Sequence, residues 1–185
     1  VRPRGVMVDL ETLGTAPGSI ILSIGAVSFG PKKEHGSTFY EKISIESCQE
    51  HGLTFDADTL SWWMIQSAQA RAEAFSGALP LPVVLQSFIH FIGRDAKDVE
   101  IWGNGASFDI TLLAAAYRAT KLPCPWKFWN ERCYRTMKSL YPEVPCERIG
   151  THHNALDDAM TQALHLAQIL MHIEKAGAPL MEVKP

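Results

Sequence analysis

Hydrophobic and polar positions along this chain fall into two periods, one of a sheet and one of helices. Val6-Met7-Val8 is an apolar, valine-rich run that leads into Asp9-Leu10-Glu11-Thr12, and the stretch predicts a buried strand. Gly14 to Gly18, with Pro17, predicts a turn. Ser19 to Phe29 is a second, mostly apolar strand ended by Gly30-Pro31, and Lys32-Lys33-Glu34 suits a hairpin tip. Thr38 to Ile43 gives a third strand, and the short connections predict an antiparallel meander. The period then changes. Asp56-Ala57-Asp58-Thr59 offers a helix start, and Pro80 to Ile92 carries apolar residues at helical spacing. Val99 to Trp102 predicts a fourth strand, Phe108 to Thr120 a helix, and Trp126 to Trp129 a fifth strand. Arg132 to Leu140 reads as a short helix, and Ala155 to Glu174 as a long closing one. This order predicts an α/β fold, a mixed five-stranded sheet with helices on both faces.

Composition narrows the classes. A chain of 185 residues with 46% hydrophobic content suits a single domain, here taken as 1–185. The net charge of −3 argues against broad wrapping of duplex nucleic acid, yet allows a small site in which metal ions supply the positive charge. Cys48, Cys124, Cys133 and Cys146 lack paired spacing, so reduced thiols are expected rather than disulfides or zinc. The first residues carry no signal-like apolar region, and no run approaches the roughly 18 residues of a membrane span. The expectation is a cytoplasmic protein without a membrane segment.

The candidate chemistry lies at the carboxylates. Residues two apart in a strand share a face, so Asp9 and Glu11 project side by side at the end of the first strand. Like charges so close need a cation between them, and hard oxygen ligands suit Mg²⁺ or Mn²⁺; an acidic, solvated turn is the alternative. Asp109 follows the glycine-rich Gly103-Asn104-Gly105 near a helix start, where the helix dipole alone could account for it. Thr151 to Ala159 places His152, His153, Asp157 and Asp158 at the opening of the last helix. Paired imidazoles facing carboxylates suit proton transfer near neutral pH.

These pieces together resemble the DEDDh-type 3′–5′ exonucleases of the RNase T and DNA polymerase proofreading group. Asp9 to Gly14 matches the motif D-x-E-T-x-G, Asn104 to Asp109 ends in the F-D of the second motif, and His153 to Asp158 matches H-x-A-x-x-D. Within that group the chain resembles a bacterial and prophage branch related to the mycobacterial exoribonuclease that trims adenylated RNA. That likeness lies in Ile24-Gly25-Ala26-Val27, Leu60-Ser61-Trp62-Trp63, Trp102 to Gly105 and Arg132 to Thr136. Some members of the branch are described as exodeoxyribonuclease VIII-like.

The resemblance implies an RNase H-like fold and two Mg²⁺ or Mn²⁺ ions held by Asp9, Glu11, Asp109 and Asp158. It makes His153 the general base and implies release of nucleoside monophosphates from single-stranded 3′ ends, RNA favoured. DNA is the alternative; a non-catalytic binding module and an RNase H-like endonuclease are further ones. Asp157 and His152 are the neighbours most easily confused with the matched residues. Thr12 and Leu13 would cradle the terminal nucleotide, Leu13 as a wedge. Asn104 and Phe108 belong to the second motif's substrate contacts. Of Trp62 and Trp63, one would be buried and one free to stack on a base. Arg132, Arg135 and Lys138 would share a helical face as a strip for the nucleic-acid backbone, or simply a solvated face. A homodimer is common among similar enzymes.

Overall fold

Strand β1 (Gly5–Thr12) is the middle of a five-stranded sheet, because its two sets of alternating side chains feed different cores. The computed structural model describes residues 5–30, 35–93, 98–105 and 107–177. The sheet order is β3 (His35–Lys42), β2 (Ile21–Phe29), β1, β4 (Glu100–Gly103), β5 (Glu131–Cys133). The first three strands are antiparallel and the last two run parallel to β1, as the mixed sheet requires. The expected hairpin tip at Lys32-Lys33-Glu34 lies outside the described residues.

Val6, Val8 and Leu10 point to a large core shared with α4 (Leu81–Ile92) and α5 (Asp109–Ala119). Helix α4 buries Leu81, Val84, Leu85, Phe88 and Ile92, one stripe at helical spacing. Met7, on the opposite face, joins Val27 and Trp102 under α7 (Ala155–Lys175) and α6 (Tyr134–Leu140). Helices therefore cover both faces.

Close approach of α7 depends on small residues. Ala155, Ala159 and Ala163 form its sheet-facing stripe, and Gly25 of β2 lies beneath its first turn. A Cβ at Gly25 would stand 2.1 Å from the carbonyl carbon of Ala155, so only glycine lets the helix rest there. Gly25 is also the cross-strand partner of Asp9, so this contact lies beside the acids.

Two expectations require correction. Trp126 to Trp129 is not a strand: Trp126 is buried against Tyr117, and Phe128–Asn130 forms one 3-10 turn. The aromatic run has strand propensity, but its ring contacts decide its placement. The fifth strand is the polar segment Glu131–Cys133, so Arg132 sits on an edge strand rather than on a helix with Arg135 and Lys138. Two short helices also escape the periodicity, α1 (Ile45–Glu50) and α3 (Ala68–Ala74). Each is started by a serine hydroxyl, Ser44 or Ser67, accepting from a first-turn amide. Helix α2 (Ala57–Met64) begins as expected at Asp56, which accepts from the amide of Thr59 at 2.6 Å.

Candidate active site

The acids meet where β1 leaves the sheet. Asp9 and Glu11 share the face of Met7, toward α7, and the pairing register shifts between Glu11 and Thr12. Across from them Asn154 caps α7, its Oδ1 accepting from the amides of Leu156 and Asp157 at 3.1 Å each. That cap aims the first turn so that oxygens of Asp9, Glu11 and Asp158 lie within 4.8 Å of one another. Asp157 is turned away: its Oδ2 accepts from the amide of Thr151 at 2.7 Å and pins the preceding loop. Three oxygen donors at this separation, drawn from a strand and a helix, fit a hard divalent cation.

Asp109 stands behind this group, 1% exposed. Its Oδ1 accepts from the amide of Leu10 at 3.2 Å and its Oδ2 from the amide of Asn104 at 2.8 Å. Strand β4 pairs with β1 only as far as Met7 and Trp102, so Asp109 takes the Leu10 amide beyond the end of that ladder.

The electrostatics follow from the crowding. Burial pushes the Asp9 carboxyl well above its ordinary value, and repulsion from Asp109, Glu11 and Asp158 adds to it, against a hydrogen bond from Gln162. Glu11 is pushed up to about 8 by burial first and then by Asp158 and Asp109, with Arg148 opposing. Burial raises Asp109 as well, opposed by its two backbone donors. Without a cation the site retains protons, and a divalent ion would expel them.

Two polar partners escaped the sequence reading. Gln162, one helical turn beyond Asp158, donates from Nε2 to Oδ1 of Asp9 at 2.7 Å. Arg148, in the segment before α7, is ion-paired with Asp158. A glutamine four residues after a matched acid is a visible signal, because it shares that acid's helical face. Nothing in the pattern around Arg148 marks it.

His153 has a left-handed backbone, φ 62°, which is uncommon for a residue with a side chain. Its ring meets the edge of Trp62 at 4.9 Å between centroids, while His152 lies 6.1 Å from it. Trp62 is 40% exposed, whereas Trp63 is 1% exposed and donates its indole N–H to the carbonyl of Thr12 at 2.8 Å. The indoles thus divide, Trp62 toward solvent beside His153 and Trp63 into the core as a brace for the first motif. Trp63 therefore offers no stacking face. Thr12 is buried and donates from Oγ1 to the carbonyl of Gly14. Leu13, expected as a wedge against a base, is buried in the core below β1. Asn154 Nδ2 also donates to the Tyr40 hydroxyl at 3.3 Å, tying the His153 loop to β3.

The other expected substrate residues separate. Arg132 pairs with Glu100 at 3.0 Å and also donates to the carbonyl of Trp129, so it braces the sheet edge. Asn104, Arg135 and Lys138 instead line one cavity of about 620 Å³, shared with Ser139, Cys146 and His165. Phe108 is partly buried against the large core, at the cap position of α5. Among the described residues no helix is long and apolar enough to cross a membrane.

Comparison with known proteins identifies chains similar to this one. A family model described as the 3′-5′ exoribonuclease Rv2179c-like domain matches residues 4–170. An exodeoxyribonuclease of Enterobacteria phage T4 is 26% identical over 157 residues, covering 70% of this chain and 68% of its own. The nuclease domain of 3′hExo, a DEDDh family member bound to rAMP, has a TM-score of 0.60 at 16% identity, covering 97% and 96% of the two chains. The zinc-bound complex of Escherichia coli exonuclease I with single-stranded DNA has a TM-score of 0.68 at 13% identity. That match covers 96% of this chain and 42% of the other.

Proposed function

The chain belongs to the 3′-5′ exoribonuclease Rv2179c-like domain family, and from that premise we propose a metal-dependent enzyme removing nucleoside monophosphates from single-stranded 3′ ends, RNA favoured. All 185 residues would act as one catalytic domain. The observation that carries the metal dependence is the convergence of Asp9, Glu11 and Asp158 within 4.8 Å, with protonation raised at Asp9 and Glu11. Asp9, Glu11 and Asp158 would hold Mg²⁺ or Mn²⁺, with Asp109 completing the set for a second ion. Such ions supply Lewis acidity and charge neutralisation at the scissile phosphate.

The chain's own groups do the rest. Gln162 fixes one oxygen of Asp9 and leaves the other free to ligate. His153 takes the proton of the attacking water, on a loop held by Asn154 and Tyr40 and beside the Trp62 edge. Trp62 stacks on a terminal base, a contact worth about 1–3 kcal/mol whatever the base. Arg135 and Lys138 face the phosphates of the incoming strand from the cavity beside Asn104.

RNA is favoured because the matched family is described as exoribonuclease. The phage relative is an exodeoxyribonuclease, which supports DNA as a second reading. Matched end-labelled RNA and DNA oligomers, digested with Mg²⁺ or Mn²⁺ and with chelator, decide between them. The expected result is a metal-dependent ladder from the 3′ end, faster on RNA, blocked by a 3′-phosphate and absent on single-stranded circles. Cleavage of circles would overturn the exonuclease mechanism; faster digestion of DNA would overturn only the choice of sugar.

A further inference from the structure

Arg148 enters the acidic site from a loop whose backbone is fixed elsewhere. The amide of Ile149 donates to Oγ1 of Thr161 at 3.1 Å, and the amide of Thr151 to Asp157. Both acceptors lie on α7, so the loop and the helix form one piece. From this base the guanidinium pairs with Asp158 through Nη1 and donates from Nη2 to the carbonyl of Thr151. Among the described residues its buried Nε has no hydrogen-bond partner. The charge of Arg148 is also felt at Asp9 and Glu11. The guanidinium thus holds Oδ1 of the carboxylate that the converging acids would offer to an ion, and it does so with donor capacity left over.

We infer that Arg148 is a tethered counter-cation that competes with the divalent ion for Asp158 and, once displaced, binds a phosphate of the nucleic acid. The inference rests on the metal site proposed above. Arginine suits both partners, because its planar fork matches carboxylate and phosphate oxygens alike. Ion and phosphate then each take one side of the same ion pair, so either one assists the other. Reciprocity of linkage requires that assistance to be equal in both directions, and such couplings are typically about 5–150-fold. The site would bind its ion loosely when empty and tightly when a strand end is present.

The test is titration calorimetry of Mn²⁺ into the wild type and Arg148→Gln, with and without AMP as the phosphate probe. Without AMP, the variant should bind Mn²⁺ about 5-fold tighter or more, since Asp158 is no longer occupied. The tightening of Mn²⁺ by AMP should be smaller in the variant than in the wild type. Equal or weaker Mn²⁺ binding by the variant overturns the role of Arg148 and leaves the metal site standing. Failure of both proteins to bind Mn²⁺ overturns the metal site and this inference together. A second measurement needs no variant: phenylglyoxal labelling of Arg148 in the wild type, read by peptide mass. Mn²⁺ should raise the labelling and AMP added with Mn²⁺ should lower it again. Labelling unchanged or lowered by Mn²⁺ alone overturns the inference.

Discussion

Replacing Glu11 by glutamine in the metal-free protein removes a charge that the fold holds at a cost, while keeping the size and shape of the side chain. The Glu11 carboxyl is 9% exposed and is pushed from its ordinary value of 4.5 to about 8. At about 1.36 kcal/mol per tenfold change in proton affinity, that displacement corresponds to about 5 kcal/mol. The folded pKa lies above the unfolded one, so the folded state binds the extra proton. This contribution to stability is complete below pH 4.5 and is lost as pH rises through 8. Integrated over the accessible window, about 2–3 kcal/mol disappears between pH 6 and pH 9. Glu11→Gln cannot lose it. Urea denaturation with chelator at both pH values should therefore show the variant gaining about 2–3 kcal/mol on the wild type at the higher pH. Asp9 titrates in both proteins, but the variant relieves it of repulsion from Glu11, which adds to the variant's gain at the higher pH. Saturating Mn²⁺ should restore the wild type at pH 9, by about 2.7 kcal/mol at a hundredfold excess over its Kd, and should do less for the variant. A stability difference that is constant with pH, or that shifts toward the wild type, would refute the account of the site as a crowd of neutralised acids.

Three further outcomes are expected. Trp63→Ala should lower stability by about 3–5 kcal/mol, because a fully buried indole and its bond to Thr12 are lost, whereas Trp62→Ala should leave the melting temperature nearly unchanged and weaken oligonucleotide binding by about 1–3 kcal/mol; denaturation and fluorescence anisotropy separate the two. His153→Ala should slow hydrolysis by about 10²–10⁴-fold with Mn²⁺ binding kept, and a larger loss in His152→Ala would show the third motif to be misaligned by one residue. Gly25→Ala should lift α7 from the sheet, lowering stability by about 1–3 kcal/mol and weakening Mn²⁺ binding more than the same change at the exposed Gly30, where an added Cβ meets nothing, a comparison that calorimetry can read.

Strands β1 to β4 were legible because valine and isoleucine runs bounded by glycine and proline have few other uses. The fifth was misplaced because Trp126, Phe128 and Trp129 spend their rings on Tyr117 and on each other, not on a pleat. The true strand, Glu131–Cys133, is three residues long and carries no periodic signal. In the site, the acids were legible because close carboxylates demand an explanation. Arg148 was not, since a loop side chain has no direction until the fold aims it, whereas the spacing of Gln162 from Asp158 already gave its face. Leu13 shows the reverse: its place just after the first motif suggested contact with substrate, and its side chain is buried in the core.

Asp9 and Gln162 touch across 153 positions of sequence, which has a meaning for the order in which the protein comes into being. During synthesis Asp9 and Glu11 emerge early, Asp109 follows, and Asp158 and Gln162 arrive only with α7. Until that helix settles over Gly25, the earlier acids have no fourth carboxylate and Asp9 has no brace. With the proposed metal site, a nascent chain would therefore be inactive until α7 is in place. The capacity to degrade nucleic acid would then switch on in one late folding step rather than grow with the chain.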